Sequence, residues 1–302
     1  MTSFTAKKSL GQHFLHAPNV VGAMIHAARI EPGMIVLEIG PGKGILTRGL
    51  LKAGAKVVAV EKDERAVEYM KENFATEIGS GKLKLVQDDT LDTNPTDIGL
   101  EGGNYVIVAN IPYYITGEIL RKFLTAEVYP SRMVLLVQKE VARRIVAADG
   151  KESILSISVK AYGEPKYIDT VPKRFFRPIP KVDSAIILID NISKKFFEND
   201  QNKRTKQDSN YTLAQDTSST RTPVVVGEAD KDFSGQIDEK TFFEVVRAGF
   251  AHKRKVVRGN LAKIIPAPTL QKLWKEKNWP FDARAETLTL EQWKELARET
   301  KL

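Results

Sequence analysis

Five short runs of apolar and branched residues, separated by stretches of helical periodicity, constrain this chain more than any other feature of it. The runs are Ile35–Ile39, Lys56–Glu61, Leu83–Gln87, Tyr105–Asn110 and Met133–Gln138. They lack polar alternation, as strands covered on both faces of a sheet do. Between them, Gly44–Ala53 carries Ile45, Leu46, Leu50 and Leu51, and Asp63–Phe74 opens with an acidic first turn. Thr116–Leu124 offers Thr116 as an N-cap. Strands alternating with helices make βαβ units. The expected class is therefore α/β, with a mostly parallel sheet and ligands at the carboxyl ends of its strands.

After residue 165 the rhythm changes. Tyr167–Val171 and Ala185–Asp190 read as two further strands, joined by the Pro-rich stretch from Phe175 to Lys181. Residues 191–236 are rich in Asn, Gln, Ser, Thr, Asp and Lys, the composition of a flexible surface insertion or linker. Phe196, Phe197, Tyr211 and Val224–Val226 leave room there for a small hairpin. Beyond it, Phe242, Phe243, Val246 and Phe250 recur at helical spacing, as do Leu270, Leu273 and Trp274, and Leu290, Trp293 and Leu296. The expected division is 1–190, an α/β domain; 191–236, a polar linker; and 237–302, a small helical domain. No internal repeat is found.

Lysine and arginine outnumber aspartate and glutamate by 46 to 38, a net charge of +8, which favours a polyanionic partner. Lys253, Arg254, Lys255 and Arg258 cluster after the helical stretch ending at Phe250, where they can meet phosphates. Lys7, Lys8, Arg174 and Arg177 would extend that surface. With no cysteine, disulfides, thiolate zinc sites and a cysteine nucleophile are excluded. Met1–Phe14 has no apolar stretch behind its lysines and no run approaches the ~18 apolar residues of a membrane span. A cytoplasmic protein without a membrane partner is expected. Asp230–Asp238 imitates a calcium loop, but Thr241 stands at the twelfth position, where a bidentate Glu is needed. No metal is expected.

The chemistry concentrates at strand ends. Glu38-Ile39-Gly40-Pro41-Gly42-Lys43-Gly44 lies between a strand and a helix, and its glycines allow a sharp turn and close approach of a ligand. The spacing is neither the dinucleotide G-x-G-x-x-G nor a phosphate loop with G-K-[ST]. Glu38 before the glycines suits a methyltransferase, whose S-adenosyl-L-methionine has no pyrophosphate and carries a cationic sulfonium. The same pattern also fits a tight turn without ligand. Glu61 ends the second strand, 21 positions after Gly40, where a carboxylate can accept ribose hydroxyls. Asp89 or Asp88, after the third strand, could accept from the cofactor's adenine amine; spacing does not choose between them. The fourth strand ends in Asn110-Ile111-Pro112-Tyr113. The Asn110 amide oxygen and the backbone carbonyl beside Pro112 can hold both hydrogens of an exocyclic amine, and Tyr113 offers a face for the base, worth ~1–3 kcal/mol.

With these motifs in order, the chain resembles the small-subunit ribosomal RNA adenine N6-dimethyltransferases of the KsgA type. Further matching stretches are Ser9–Leu15, Gln138–Val141, Phe176–Ser184, Phe250–Lys255 and Arg284–Leu288. The resemblance covers nearly the whole chain outside 191–236. It implies a Rossmann-like class I methyltransferase domain with a C-terminal helical RNA-binding domain. His13, Leu15, Gly40, Glu61, Asp89 and Asn110 would line the cofactor with Glu38 and Gly42, and Asp89 is preferred to Asp88. Phe176 would stack on the target adenine opposite Tyr113. The implied targets are two adjacent adenines in the 3′-terminal hairpin of small-subunit (16S) rRNA, in immature small ribosomal subunits. Tyr114 departs from the Asn common in the family, and the 191–236 insertion is longer than usual. Two competing readings are the related antibiotic-resistance enzyme acting on large-subunit RNA and a non-catalytic assembly factor.

Overall fold

The computed structural model describes residues 4–7, 10–198, 237–252 and 254–300. Its elements begin with β1 (Phe14–Leu15), α1 (Pro18–Ala28), β2 (Ile35–Ile39), α2 (Ile45–Lys52), β3 (Lys56–Glu61), α3 (Glu64–Asn73), α4 (Ala75–Gly79), β4 (Leu83–Gln87), β5 (Tyr105–Asn110) and α5 (Thr116–Thr125). Then follow β6 (Arg132–Gln138), α6 (Lys139–Val146), α7 (Ile154–Lys160), β7 (Glu164–Val171), β8 (Phe176–Arg177) and β9 (Ser184–Asp190). Helices α8 (Glu239–Gly249), α9 (Val257–Leu261), α10 (Ala267–Glu276) and α11 (Leu290–Arg298) come last. The chain divides into two compact units, residues 1–193 with Arg284–Leu290, and Lys194–Ala283 with Glu291–Leu302.

In the first unit a seven-stranded sheet runs in the order β4-β3-β2-β5-β6-β9-β7. The five strands from β4 to β6 are parallel, and β9 lies antiparallel between β6 and β7. The order reverses between β2 and β5. In an open α/β sheet the crevice at such a reversal is where ligands bind. Val36, Val106, Val108, Val134 and Leu136 form a core with Val20, Val21, Met24 and Ala28 of α1. Burying each large apolar side chain of this kind stabilises the fold by about 1.5–3 kcal/mol. The C-terminus of α1 is tied to the last strand: Arg29 pairs with Asp190, and Arg132 reaches both Asp190 Oδ1 (3.0 Å) and the Ala28 carbonyl (2.8 Å). Arg284–Leu290 joins this unit, where the Glu152 N–H donates to the Glu286 carbonyl at 2.8 Å.

The central strands lie where apolar runs placed them, with β6 starting one residue earlier and β7 extending back to Glu164. Thr116 differs. It is the first helical residue, and its hydroxyl donates to the Tyr113 carbonyl (3.1 Å) instead of capping α5.

In the second unit Asp238 caps α8, accepting from the Thr241 N–H (2.8 Å) and hydroxyl (2.9 Å). The end of the calcium-loop lookalike is thus a helix start; its residues 230–236 lie outside the described residues, as do Tyr211 and Val224–Val226. Phe196 and Phe197 pack edge-on against Phe242, at centroid distances of 5.1 and 5.7 Å. Trp274 and Trp293 are fully buried.

Candidate active site

The loop after β2 takes its shape from three glycines in the left-handed region, Gly40 (φ +65°), Gly42 (+55°) and Gly44 (+71°). They serve different ends. A Cβ on Gly40 would meet nothing within 4 Å, whereas one on Gly44 would lie 2.5 Å from the buried Phe74 ring. Gly40 therefore keeps a cavity open, and Gly44 lets α2 start against the end of α3.

That cavity is a cleft of about 1120 Å³, counting its mouth, at the carboxyl ends of β2, β3 and β5. Of the residues singled out in the sequence, His13, Gly40, Gly42, Glu61, Asp89, Asn110, Pro112 and Tyr113 line it, with Tyr114 at its edge. Glu61 is buried, and its two oxygens accept from the backbone N–H groups of Asp63 (2.9 Å) and Gly42 (3.1 Å). Burial pushes its carboxyl above the usual range, against the pull of those bonds. Asp63 in turn accepts from Arg65 and from Gln12 Nε2 (2.9 Å), which anchors the N-terminal segment beside the cleft. The Arg65 hydrogen bond, with Gln12 assisting, draws the Asp63 carboxyl down to about 2.

Asp89 meets Lys62 Nζ at 2.6 Å, and this bond lowers its carboxyl below the ordinary value. Asp88 faces away from the cleft: its oxygens accept from the Asp89 N–H (2.8 Å) and the Thr93 hydroxyl (2.7 Å). At the end of β5 Asn110 donates its amide N–H to the His13 carbonyl (3.2 Å), and its Oδ1 has no partner among the described residues. The Tyr113 hydroxyl shares a hydrogen bond with Ser184 Oγ (2.7 Å). His13 lies nearly parallel to Tyr113 at 5.8 Å between centroids, held by its Nδ1–H donating to the Pro178 carbonyl (2.7 Å).

Three expected site residues lie outside the cleft lining. Leu15 and Phe176 face each other across the antiparallel β1–β8 pair and turn into the core, with Phe176 wholly buried. Phe176 is therefore absent from the cleft lining in this structure. Glu38 lies beneath the glycine loop, 1 % exposed, and among the described residues its Oε2 has no hydrogen-bond partner. Burial pushes its carboxyl up to about 8. Of the basic cluster, Arg254 and Lys255 are exposed, and Lys253 lies outside the described residues. Arg258 is a brace: its guanidinium sits 4.6 Å from the Phe281 ring and 5.9 Å from Trp274, and donates to the Phe281 carbonyl (3.0 Å). Sequence reasoning assigned no role to Gln12, Lys62 or Ser184. Gln12 and Ser184 stand inside motifs already noted, and Lys62 directly follows Glu61, so adjacency was the available signal.

Both the sequence and the fold have counterparts among known proteins. A family model described as ribosomal RNA adenine dimethylase matches residues 3–206. A ribosomal RNA small subunit methyltransferase A from Dehalococcoides mccartyi is 36 % identical over 296 residues, covering 97 % of this chain and 88 % of the relative. A protein of the same name from Fusobacterium nucleatum is 31 % identical, covering 98 % and 97 %. Among solved structures, the 23S rRNA methyltransferase ErmE superposes with a TM-score of 0.68 at 23 % identity, covering 95 % of this chain and 99 % of that one. A dimethyladenosine transferase from Plasmodium falciparum gives 0.67 at 24 %, covering 94 % and 96 %. These two superpositions establish the shared fold, and the family match with the full-length relatives establishes membership: the chain belongs to the ribosomal RNA adenine dimethylase family.

Proposed function

We propose that this protein transfers methyl groups from S-adenosyl-L-methionine to the N6 amines of two adjacent adenines in the 3′-terminal hairpin of small-subunit rRNA, each becoming dimethylated. The observation that carries the reading is Asn110. Its amide N–H is committed to the His13 carbonyl, so the oxygen faces the cleft as an acceptor for an amine hydrogen. The near-full-length relatives named for the small subunit support that substrate over large-subunit RNA.

The cleft fits the cofactor in three respects. Gly40 leaves open space beside the backbone, Glu61 places a carboxylate at the end of β3, and Asp89 places one at its far side. Asp89 would accept from the adenine amine, Glu61 from the ribose hydroxyls, with Gly40, Gly42 and His13 against the remainder. When bound, S-adenosyl-L-methionine supplies an electrophilic methyl group on a cationic sulfur. The protein's own part is positioning. Asn110 and the backbone carbonyl beside Pro112 hold the target amine so that its lone pair points along the line of transfer. Tyr113 offers its face to an adenine swung out of the RNA stack. The methylated nitrogen sheds its proton to water, so no strong general base is needed, and orientation supplies most of the rate. Residues 1–190 would carry transfer and 237–302 the RNA contacts, through Lys253, Arg254 and Lys255, with 191–236 linking them. A cytoplasmic location goes with this substrate. Among the described residues no helix is long and apolar enough to cross a membrane.

The test supplies methyl-labelled cofactor and small ribosomal particles from cells lacking the modification, then maps the label. Dimethyladenosine in the 3′ hairpin is expected. Label in large-subunit RNA would transfer the protein to the resistance-type reaction, and cofactor binding without label would make it a non-catalytic factor.

A further inference from the structure

Beside the cleft, three strand ends gather four cations into a second cavity. Strands β6, β7 and β9 converge at Ser184, which pairs in register with both Gln138 and Val171. Lys139 directly follows Gln138, Lys173 lies two residues past Val171, and Asp183 directly precedes Ser184. With Arg143, one turn along α6, and Lys181, they line a cavity of about 680 Å³, counting its mouth. Its remaining lining residues are Glu140 and Val182.

The four cations outnumber the two carboxylates of the lining, Asp183 and Glu140, which leaves it a net charge of +2. Asp183 serves as a strut: its Oδ1 accepts the Lys173 backbone N–H (2.9 Å) and its carbonyl accepts that of Lys139 (3.0 Å). Glu140 is 80 % exposed and its ion pair, at 4.0 Å, is with Arg144, which is not in the lining. Among the described residues, none of the four cations has an ion-pair partner. Their like charges repel, and an anion in the cavity would relieve that repulsion. A phosphodiester suits them: the planar Arg fork takes two oxygens of one phosphate, and lysines meet its neighbours as point charges. The cavity adjoins the reaction site, because Ser184, next to Asp183, is hydrogen-bonded to Tyr113 at 2.7 Å.

We infer that Lys139, Arg143, Lys173 and Lys181 form a phosphodiester-binding site for the RNA strand that delivers the target base, setting that strand's register relative to Tyr113. This rests on the function proposed above and goes beyond the basic cluster near residue 254. The anchor is built on strand ends fixed by backbone hydrogen bonds, so it is rigid relative to the cleft.

The experiment uses the full-length chain with Lys173→Gln/Lys181→Gln and Lys139→Gln/Arg143→Gln. Binding of a deproteinised RNA fragment carrying the target hairpin is followed by fluorescence anisotropy across a salt series, without methyl donor. Transfer kinetics are measured in parallel on the same RNA and on assembled particles. Each double variant should weaken RNA binding about tenfold or more and lower the slope of log K against log salt by roughly 0.7–0.9 for each phosphate no longer neutralised. The KM for RNA should rise more than kcat falls, and S-adenosylhomocysteine should bind as in the wild type. Lys173→Arg/Lys181→Arg should keep the salt slope. Unchanged RNA affinity and slope in both variants, with normal wild-type methylation, would overturn the inference. So would a defect on assembled particles absent on free RNA, which would assign the cavity to a protein partner. Wild-type binding with the expected salt slope but no methylation would instead defeat the proposed reaction and leave the anchor standing.

Discussion

The two outer glycines of the loop give a prediction in which one substitution, glycine to alanine, has opposite signatures at positions four residues apart. At Gly44, φ is +71° and the new Cβ would lie 2.5 Å from Phe74 and 2.8 Å from the Met70 sulfur. Both neighbours are 0 % exposed, so neither has solvent to retreat into. Left-handed backbone costs an alanine about 1–2 kcal/mol, and overpacking a closed core adds about 1–3 kcal/mol. Gly44→Ala should therefore cost roughly 2–5 kcal/mol, a fall in Tm on the order of 5–15 °C for a unit of this size. At Gly40, φ is +65° but no atom lies within 4 Å of the new Cβ. Gly40→Ala bears only the backbone term, about 1–2 kcal/mol, while its methyl group intrudes on the space assigned to the cofactor. Thermal melts combined with calorimetric titration of S-adenosylhomocysteine separate the two. Folded Gly44→Ala should bind within a few-fold of wild type, and Gly40→Ala should lose less of its Tm, about 2–8 °C, yet bind at least tenfold more weakly. Normal binding by Gly40→Ala would refute the placement of the cofactor against this loop.

Three further predictions rest on charge. Asp63 holds its proton only below about 2 in the folded chain against 3.8 ordinarily, so its contribution is full above pH ~4–5 and is lost as pH falls toward 2; Asp63→Asn should flatten the acid limb of a melting-temperature profile, and an unaltered limb would count against the Arg65–Asp63–Gln12 anchor. Glu38 has the opposite sign: its folded value of about 8 against 4.5 means stability declines as pH rises between those values. Glu38→Gln, neutral and of equal size, should remove that decline, and a Gln variant with the wild-type slope would show that Glu38 is not the group responsible. Asp190→Ala leaves Arg132 without its buried carboxylate partner and should cost about 3–5 kcal/mol in denaturant titrations; a loss below about 1 kcal/mol would mean the α1–β9 tie is dispensable.

The sheet was legible because its strands are buried on both faces and read as unbroken apolar runs, such as Tyr105–Asn110. Helix α1 carries weak local signals: Pro18 stands at its first turn and Arg29, at its end, is left-handed without being a glycine. The cleft was legible where chemistry depends on a residue at a strand end, as with Glu61 and Asn110. It was obscure where side-chain direction decides. Leu15 and Phe176 sit in motifs beside the cleft, yet the β1–β8 register turns both inward. Glu38 likewise precedes the glycines in sequence but points beneath them. In sequence Arg258 is one more positive charge, and only its two aromatic neighbours in space make it a brace.

The pairing of β1 with β8 also has a bearing on birth order. The front wall of the cleft joins residues near the beginning of the chain to a segment made much later, His13 to Pro178 being 165 positions apart. At about 5–20 residues per second, translation leaves on the order of ten seconds or more between the two. A nascent chain thus exposes its glycine loop and Asn110 before the wall that orients His13 exists. Methyl-donor binding should begin late in synthesis, when the Phe176–Ser184 segment has left the ribosome, and a chain stalled before that point would carry the motifs without a working cleft.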